Sequence, residues 1–131
     1  MEIISTRDSI KWIWPHVARS SIKNLSLIDC DLDGDDLRLI INRLPQSMIT
    51  KLDLSRNHRL NDVPLSFIVK IASSFFLEEL KLKNCSLDFK QINDLIQILT
   101  EKGSPLVLDL RGNLEQDEMK NFLISLRYFV K

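Results

Sequence analysis

The stretch LEELKLKNCSL at residues 77–87 contains the pattern that decides the fold. Its leucines stand at the first, fourth, sixth and last positions, with a cysteine two places before the last one. The LxLxx[N/C] part of this pattern occurs four times, at residues 25–30, 52–57, 80–85 and 108–113. Successive copies begin 27, 28 and 28 residues apart. Such a regular step is typical of repeat proteins, in which each repeat is one structural unit.

Individual copies depart from the full pattern LxxLxLxx[N/C]xL without losing this step. Residues 22–32 and 77–87 match throughout, if an isoleucine is counted for the first leucine. The second copy has an additional residue before Leu60. The fourth has Pro105 at the first apolar position and Leu114 directly after its asparagine.

Each copy is followed by apolar residues at the i, i+3, i+4, i+7 spacing of a helix that buries one face. The four sets are Leu37, Ile40, Ile41, Leu44; Ile68, Ile71, Ala72, Phe75; Ile92, Leu95, Ile96, Leu99; and Met119, Phe122, Leu123, Leu126. The sequence therefore predicts a strand and then a helix, four times in succession.

Local signals predict where these helices begin and end. Asp35 and Asp36 suit the start of the first helix and Pro64 the first turn of the second, while Asp88 and Gln91 suit a capping box on the third. The first helix is expected to stop at Pro45, directly after Leu44, and the third at Gly103, which suits a left-handed helix end.

The combination resembles the leucine-rich-repeat superfamily, and repeats of 27 to 28 residues with a full helix are most similar to its ribonuclease-inhibitor-like class. The resemblance covers roughly residues 22 to 129. It implies an α/β solenoid, a short horseshoe arc with parallel strands on the concave face and helices on the convex face. We expect one domain over residues 1–131, with an N-terminal cap at 1–21, four repeats at 22–114 and a C-terminal helix or cap at 115–131.

Composition agrees with one folded domain. Apolar residues make up 44% of the chain and charged residues 27%, and 18 basic residues balance 18 acidic ones. A net charge of zero gives no general attraction to nucleic acid or to an anionic membrane. The first residues lack the basic start and apolar run of a secretory signal peptide, and no stretch approaches the roughly 18 apolar residues of a membrane span. We therefore expect a cytoplasmic protein with reduced thiols.

Cys30 and Cys85 occupy the last position of the motif in two copies. In the family, this residue hydrogen-bonds backbone groups of a buried turn, which an asparagine does well and a thiol weakly. The two cysteines are two repeats apart, so their Cα atoms should be about 10 Å from each other, beyond the approximately 7 Å that a disulfide spans. We favour a structural role over a disulfide, a metal site or a nucleophile.

The residues that flank the leucines of each strand should face away from the core, because side chains alternate along a strand. In the family this is the face that binds partners. The position before the first leucine of each motif is occupied by Asn24, Lys51, Glu79 and Val107, and the position between the two leucines by Ser26, Asp53, Lys81 and Asp109. The position after the second leucine is occupied by Ile28, Ser55, Lys83 and Arg111. The next position is occupied by Asp29, Arg56, Asn84 and Gly112. The charged candidates for partner binding are Lys51, Asp53, Arg56, Glu79, Lys81, Lys83, Asp109 and Arg111.

Two charge patterns arise on this face. Parallel strands in register would place Asp53, Lys81 and Asp109 side by side, so we expect them to pair with one another as exposed ion pairs of about 0–1 kcal/mol each. A self-neutralised surface is favoured there over a binding surface. Lys83 and Arg111, with Arg56 nearby and only Asp29 to compensate, should form a small basic edge. This edge suits an acidic patch, a carboxylate-bearing peptide or a phosphate and is too small for a nucleic-acid site.

The ends of the repeat array need cover. Before the first motif, Ile10, Ile13, Trp14 and Val17 have helical spacing interrupted by Pro15, which predicts an N-terminal cap. Trp12 lies off that face, where packing in the cap is favoured over an exposed interface anchor. After the fourth motif, the last helix and its aromatic residues Tyr128 and Phe129 either cover the edge strand or leave it to pair with another chain, so a homodimer is the less favoured alternative.

Catalysis is not expected. His16 and His58 have no evident acid, base or metal partner. Lys81 between Asp53 and Asp109 should keep both carboxylates ionised, whereas acid catalysis needs one raised pKa. The sequence has no Gly-rich phosphate loop, GxSxG or HExxH motif. We expect no enzymatic activity, no cofactor and no metal.

These observations favour a non-catalytic protein-interaction module that binds another protein or peptide, one with an acidic patch, through the concave strand face. Neither nucleic acid nor a membrane is expected as a partner. The alternative is a structural subunit that assembles through its caps or its edge strand. The richness in Ile, Lys, Asn and Ser, together with the resemblance to short bacterial repeat proteins, also raises the subordinate hypothesis of a host-directed effector.

Overall fold

The chain forms a mixed α/β structure, described by a computed structural model for residues 2–4, 16–17, 20–74, 76–103 and 106–114. The elements in order are β1 (Glu2–Ile4), β2 (Asn24–Ser26), α1 (Gly34–Arg43), β3 (Lys51–Asp53), α2 (Leu65–Ala72), β4 (Glu79–Lys81), α3 (Phe89–Glu101) and β5 (Val107–Asp109). Short 3₁₀ turns at Leu44–Gln46 and His58–Asp62 follow α1 and precede α2.

The strands form one parallel sheet whose spatial order, β1-β2-β3-β4-β5, is their order in the chain. The register matches the motif alignment, because Leu52 pairs with Leu25 on one side and with Leu80 on the other. Hydrogen bonds continue past the strand ends, where Leu54 N–H donates to the Lys81 carbonyl at 2.9 Å. The predicted strand register is therefore confirmed.

Strand β1 was not predicted. It lies within the expected cap at residues 1–21 and pairs with β2 through Glu2 and Asn24, a step of 22 residues. Its segment contains no LxL pair and no asparagine or cysteine at the motif position. The repeat motif therefore does not predict this strand, and the sheet extends one strand beyond the four predicted copies.

The core lies between the strands and the helices. Both leucines of every LxL motif are at most 1% exposed, and they share one cluster with the apolar faces of α1, α2 and α3. The predicted helix faces are confirmed for Leu37, Ile40, Leu44, Ile68, Ile71, Ala72, Ile92, Leu95, Ile96 and Leu99, while Ile41 is partly buried. This packing leaves the other side of the sheet free of helices from these three repeats.

Two capping boxes begin α1 and α3. The side chain of Asp88 accepts from Gln91 N–H at 2.7 Å, as predicted. In α1 the cap is Asp33, paired with Asp36, so this helix begins slightly before the predicted Asp35.

The other helix boundaries lie at or next to proline and glycine residues. Pro64 is the N-cap of α2, one position before the first turn in which it was expected. Helix α1 ends at Arg43, just before Leu44 and Pro45. Gly103 follows α3 with a φ of 65°, the left-handed end that was predicted.

Several predictions fall outside the described residues. These are the fourth helix set, Met119, Phe122, Leu123 and Leu126, and also Phe75, Ile10, Trp12, Ile13, Trp14, Tyr128 and Phe129. Val17, from the expected N-terminal cap, is described and is fully buried.

Candidate functional site

The side of the sheet opposite α1–α3 carries the residues that flank the leucines, and we call it the open face. It consists of Asn24, Ser26, Lys51, Asp53, Glu79, Lys81, Val107 and Asp109. In β3, for example, Lys51 is exposed and Asp53 half-buried, whereas Leu52 between them is buried. The alternation of side chains along each three-residue strand therefore creates this face.

The middle column of the open face has the predicted neighbours but not the predicted ion pairs. Asp53 is in register with Lys81, and Lys81 with Asp109. Among the described residues, however, no ion pair within 4.0 Å joins Lys81 to either carboxylate. The expectation that these three residues neutralise one another is wrong.

Asp109 pairs instead with Arg111, two residues further along the same face. The Arg111 Nε and Nη2 atoms donate to the two carboxylate oxygens at 2.9 and 2.7 Å, and its backbone N–H donates to Oδ1 at 3.2 Å. Asp109 is fully buried, whereas the Arg111 side chain is 63% exposed. Asp109 therefore cannot contact a partner directly, which corrects its place among the candidate binding residues.

This pairing changes the pKa of Asp109. Burial alone would raise the pKa of the carboxyl, but the hydrogen bonds and the charge of Arg111 outweigh burial and lower it below its ordinary value. The same bonds raise the pKa of Arg111. The pair is therefore a fixed structural ion pair, and Arg111 contributes less free positive charge to the predicted basic edge than the sequence implied.

The centre of the open face keeps uncompensated charge. Asp53 accepts a hydrogen bond from the Ser55 N–H at 3.0 Å, which orients its carboxylate without neutralising it. Within the described part of the chain, Lys51 and Lys81 take part in no ion pair shorter than 4.0 Å. Two cations and a carboxylate are thus presented together at the middle of the sheet.

A shallow depression of about 120 Å³ lies among these charges. Leu25 and Leu52 also line it, although their side chains are buried in the core on the other side of the sheet. Its polar lining consists of Asn24, Ser26, Lys51, Asp53, Glu79 and Lys81. Four of the eight predicted binding residues, Lys51, Asp53, Glu79 and Lys81, are thereby brought to one place.

The predicted basic edge is smaller than expected. Arg56 and Lys83 are adjacent, because the Arg56 N–H donates to the Lys83 carbonyl at 2.8 Å. Arg56 is exposed and Lys83 half-buried. With Arg111 bound to Asp109, this edge retains Arg56 and Lys83 as its two cations without a described ion pair.

Buried asparagines hold the turns behind the open face. Asn57 is completely buried, and its Oδ1 accepts from Cys30 N–H and Leu32 N–H at 3.0 and 3.1 Å. Its Nδ2 donates to the carbonyls of Leu27, Leu54 and Ser55 at 2.9, 2.8 and 3.2 Å. Asn113 makes the equivalent bonds to the turn of Cys85 and Leu87.

The cysteines take the same position with weaker bonds. Both are buried free thiols, and the Cys85 Sγ lies 3.3 Å from the carbonyl of Leu54 in the preceding repeat. Burial raises the pKa of the Cys85 thiol to about 11, so it is protonated and can act as the donor. Both thiols are free in the structure, and their hydrogen bonds support the structural role.

After each of the strands β2, β3, β4 and β5 the chain turns through a residue in the left-handed conformation. The positions are Asp29, Arg56, Asn84 and Gly112, with φ of 55°, 61°, 54° and 82°. Glycine, asparagine and aspartate adopt this conformation more readily than other residues, so three of the four residue types fit the turn. The column was visible in the sequence alignment, although its backbone conformation was not inferred from it.

A second depression, which was not predicted, lies on the helix side. It has a volume of about 320 Å³ and is lined by Ile41, Leu44, Pro45, Lys70, Ile71, Ser73, Ser74 and Phe76. Phe76 is 61% exposed, and Met48, at the same position of the preceding repeat, is 54% exposed. Two bulky apolar residues at one repeat position were the signal that could have predicted it.

No model of a known protein family matches the chain, and no curated protein matches it. His58 Nδ1 lies 2.8 Å from the Ser86 Oγ, and both of these side chains are exposed. Across the described ranges, no three His, Cys, Asp or Glu side chains are grouped to hold a metal ion. Across those same residues, no helix is long and apolar enough to cross a membrane.

Proposed function

We propose that this chain is a leucine-rich-repeat solenoid that binds a partner protein through the open face, which would be its concave surface. The strand order, the 27- and 28-residue register steps and the equivalent bonds of Asn57 and Asn113 support the repeat architecture. A regular stack of this kind presents one continuous strand surface, which suits contact with a macromolecule.

The observation that carries the proposal is the group of charges around the central depression. Lys51, Asp53 and Lys81 line this depression and make no ion pair with other described residues. Charged groups that are uncompensated in the free protein can be compensated by a partner, and complementary charges then favour the correct partner. The low volume of the hollow, about 120 Å³, suits individual side chains of a protein better than a cofactor.

The partner's chemistry follows from the edge beside the depression. Arg56 and Lys83 add two cations to Lys51 and Lys81, against Asp53 and Glu79. We propose that the partner segment carries carboxylates opposite Arg56 and Lys83 and mixed charges opposite the depression. We also propose that it is met inside the cell, since both buried cysteines are free thiols.

The test is affinity capture with a variant that reverses the basic edge. Arg56→Glu with Lys83→Glu changes two exposed or half-exposed side chains and leaves the Asp109–Arg111 pair intact. We expect the wild type to retain a partner from a lysate of the cells that express it, identified by mass spectrometry, and the variant to lose that partner.

The matched control is Arg43→Glu with Lys70→Glu. This pair makes the same change in net charge on α1 and α2, on the helix side of the molecule. The control should retain the partner. Loss of the partner from both variants would point to a general charge effect, and retention by both would show that the basic edge of Arg56 and Lys83 is not part of the binding surface.

A further inference from the structure

The ion pair between Asp109 and Arg111 has one buried and one exposed member. Asp109 is fully buried, whereas the Arg111 side chain is 63% exposed. The Arg111 Nε and Nη2 atoms donate to the two oxygens of the carboxylate at 2.9 and 2.7 Å. A guanidinium group that a buried carboxylate holds at two of its nitrogens cannot rotate freely, so its position on the open face is fixed.

Much of the hydrogen-bonding capacity of Arg111 remains unused. A guanidinium group has five N–H donors, and the pair with Asp109 uses one on Nε and one on Nη2. The other side-chain N–H groups of Arg111, two on Nη1 and one on Nη2, have no acceptor within the described part of the chain. Along the edge formed by Nη1 and Nη2, two of these N–H groups are parallel, which is the geometry that binds both oxygens of a carboxylate.

The neighbouring strand adds two lysines beside this guanidinium group. Register pairs Lys81 with Asp109. The same ladder continues past the strands, where the Asn84 N–H donates to the carbonyl of Arg111 at 3.1 Å, so Lys83 lies next to Arg111. Neither lysine takes part in an ion pair within the described ranges. Since neighbouring strands are about 4.8 Å apart, an anion bound by Arg111 has two further cations close to it.

We propose that Arg111 is an anchor for a carboxylate of the partner, a glutamate or aspartate side chain, and that Asp109 is the positioning residue that holds its guanidinium group in place. This inference rests on the proposed function of the open face and names one contact within it. Asp109 and Arg111 together carry no net charge, so what they offer a partner is a fixed pair of donors. A side chain that is already ordered loses less conformational entropy on binding, which raises affinity.

Asp109→Asn separates positioning from charge, because the two predict opposite results. The substitution keeps the size of the side chain but replaces one of its two acceptors by an NH₂ group. Arg111 therefore gains mobility, while the open face gains one net positive charge. A simple charge effect would strengthen the binding of an acidic peptide. We expect weaker binding instead, by about two- to tenfold, which is the cost of ordering one mobile side chain.

The probe is acetyl-triglutamate amide, with the corresponding triglutamine peptide as the uncharged control. The dissociation constant is measured by NMR titration of isotope-labelled protein in about 20 mM salt, over about 0.1–10 mM peptide, the range of a few exposed charge contacts. In the wild type, the side-chain N–H signals of Arg111 should shift with the glutamate peptide and not with the glutamine peptide. These signals are identified by their loss in Arg111→Lys.

Two further variants complete the test. Arg111→Lys keeps the charge but removes the planar fork, so it should bind the glutamate peptide about two- to tenfold more weakly. The matched control is Asp94→Asn on α3, which changes the net charge as Asp109→Asn does and releases Lys90 from an ion pair of 3.0 Å on the helix side. This control should bind the peptide as the wild type does. Urea unfolding checks each variant, and if Asp109→Asn does not fold, Arg111→Lys decides the question.

Three results would overturn the inference: Arg111 signals that do not shift with the glutamate peptide, an Asp109→Asn variant that binds it at least as tightly as the wild type, or an Arg111→Lys variant that binds it equally well. The proposed function fails separately. If Arg56→Glu with Lys83→Glu loses the captured partner while Asp109→Asn keeps its affinity for the peptide, the open face binds proteins but Arg111 is not an anchor. If that double variant retains every partner while the peptide results hold, the carboxylate contact stands without the proposed function.

Discussion

At the scale of single residues, the amide of Asn57 connects two turns through five hydrogen bonds in a completely buried position. Truncation to alanine would leave two backbone N–H groups and up to three carbonyls without these partners. Each unsatisfied buried group costs about 1–3 kcal/mol, and part of this loss is relieved by relaxation. We predict that Asn57→Ala lowers the free energy of unfolding by about 3 kcal/mol or more, measured by urea denaturation.

Asn113→Ala is the natural comparison, because Asn113 makes four equivalent bonds but is partly exposed. Water can replace its lost partners, so the loss should be nearer to about 1 kcal/mol. Similar losses in the two variants would show that burial does not decide the strength of this position.

The Asp109–Arg111 pair predicts a dependence on pH. The pKa of Asp109 is lowered in the folded protein, so the stability that its carboxylate contributes is fully present above about pH 4, the ordinary value. That contribution is lost as the pH falls through the lower folded value. In Arg111→Ala the burial of Asp109 is opposed only by the backbone N–H of residue 111 and by the charge of Lys83, so the pKa of Asp109 should rise.

The measurement is the difference in unfolding free energy between wild type and Arg111→Ala from pH 7 to pH 3. It should be largest at neutral pH and shrink as Asp109 becomes protonated in both proteins. A constant difference over this range would mean that Arg111 acts through packing and not through the carboxylate.

This pair also shows what the sequence could not supply. The repeat alignment predicted correctly that Asp53, Lys81 and Asp109 are neighbours, because register follows from the leucines. Which neighbour binds Asp109 depends on side-chain reach. Arg111 lies on the same strand face at i+2 and its planar fork fits a carboxylate, whereas Lys81 offers one flexible ammonium across the strands.

At the scale of elements, the left-handed turns restrict which residues the repeat can place at them. Gly112 has a φ of 82°, and a Cβ at this position would overlap the side-chain amide of Asn84 in the adjacent turn. We predict that Gly112→Ala lowers the free energy of unfolding by about 2–3 kcal/mol, of which about 1 kcal/mol comes from the backbone conformation.

A second substitution separates the two causes. Asn84→Gly removes the overlapping amide, and glycine adopts the φ of 54° at this position without strain. In the double variant, Asn84→Gly should recover the steric part of the loss and leave the part due to φ. No recovery in urea denaturation would place the whole effect in the backbone.

The predictability of the elements follows their periodicity. Helices α1, α2 and α3 and strands β2–β5 were predicted because each repeats an apolar pattern with clear punctuation, including the capping box of Asp88 and Gln91. Strand β1 was not, because Glu2–Ile4 is held by pairing with β2 and shows no repeat motif of its own. Pairing with β2, and not a local sequence pattern, therefore determines that this segment is a strand.

At the scale of the whole molecule, the buried leucines of the strands and the apolar faces of the helices form one cluster, although each repeat contacts mainly its neighbours. The composition and the four motifs predicted this common core. The sequence predicted which charged residues lie at the centre of the open face. It did not predict the depression among them or the exposure of Met48 and Phe76, because these depend on side-chain packing that a motif does not encode.

The two buried thiols report whether this cluster opens as one unit. Cys30 and Cys85 lie two repeats apart and are at most 1% exposed, and the pKa of Cys85 is raised to about 11 by burial. A disulfide reagent at about pH 8 should therefore react with them only after the surrounding structure opens, because the thiolate is the reactive form. We predict that both thiols react in one kinetic phase, at a rate that rises with urea in parallel with unfolding followed by circular dichroism.

The competing behaviour is stepwise opening, since stability in a repeat array is a sum of local and nearest-neighbour contributions. It would give two phases, one for each thiol, and mass spectrometry of singly labelled protein would show which repeat opens first. A single phase is expected for this chain because the leucines of β2–β5 are shared between adjacent repeats within one continuous core. The Asn57→Ala variant sharpens the distinction: if its loss of bonds to the turn of Cys30 uncouples the repeats, Cys30 should react before Cys85 in that variant alone.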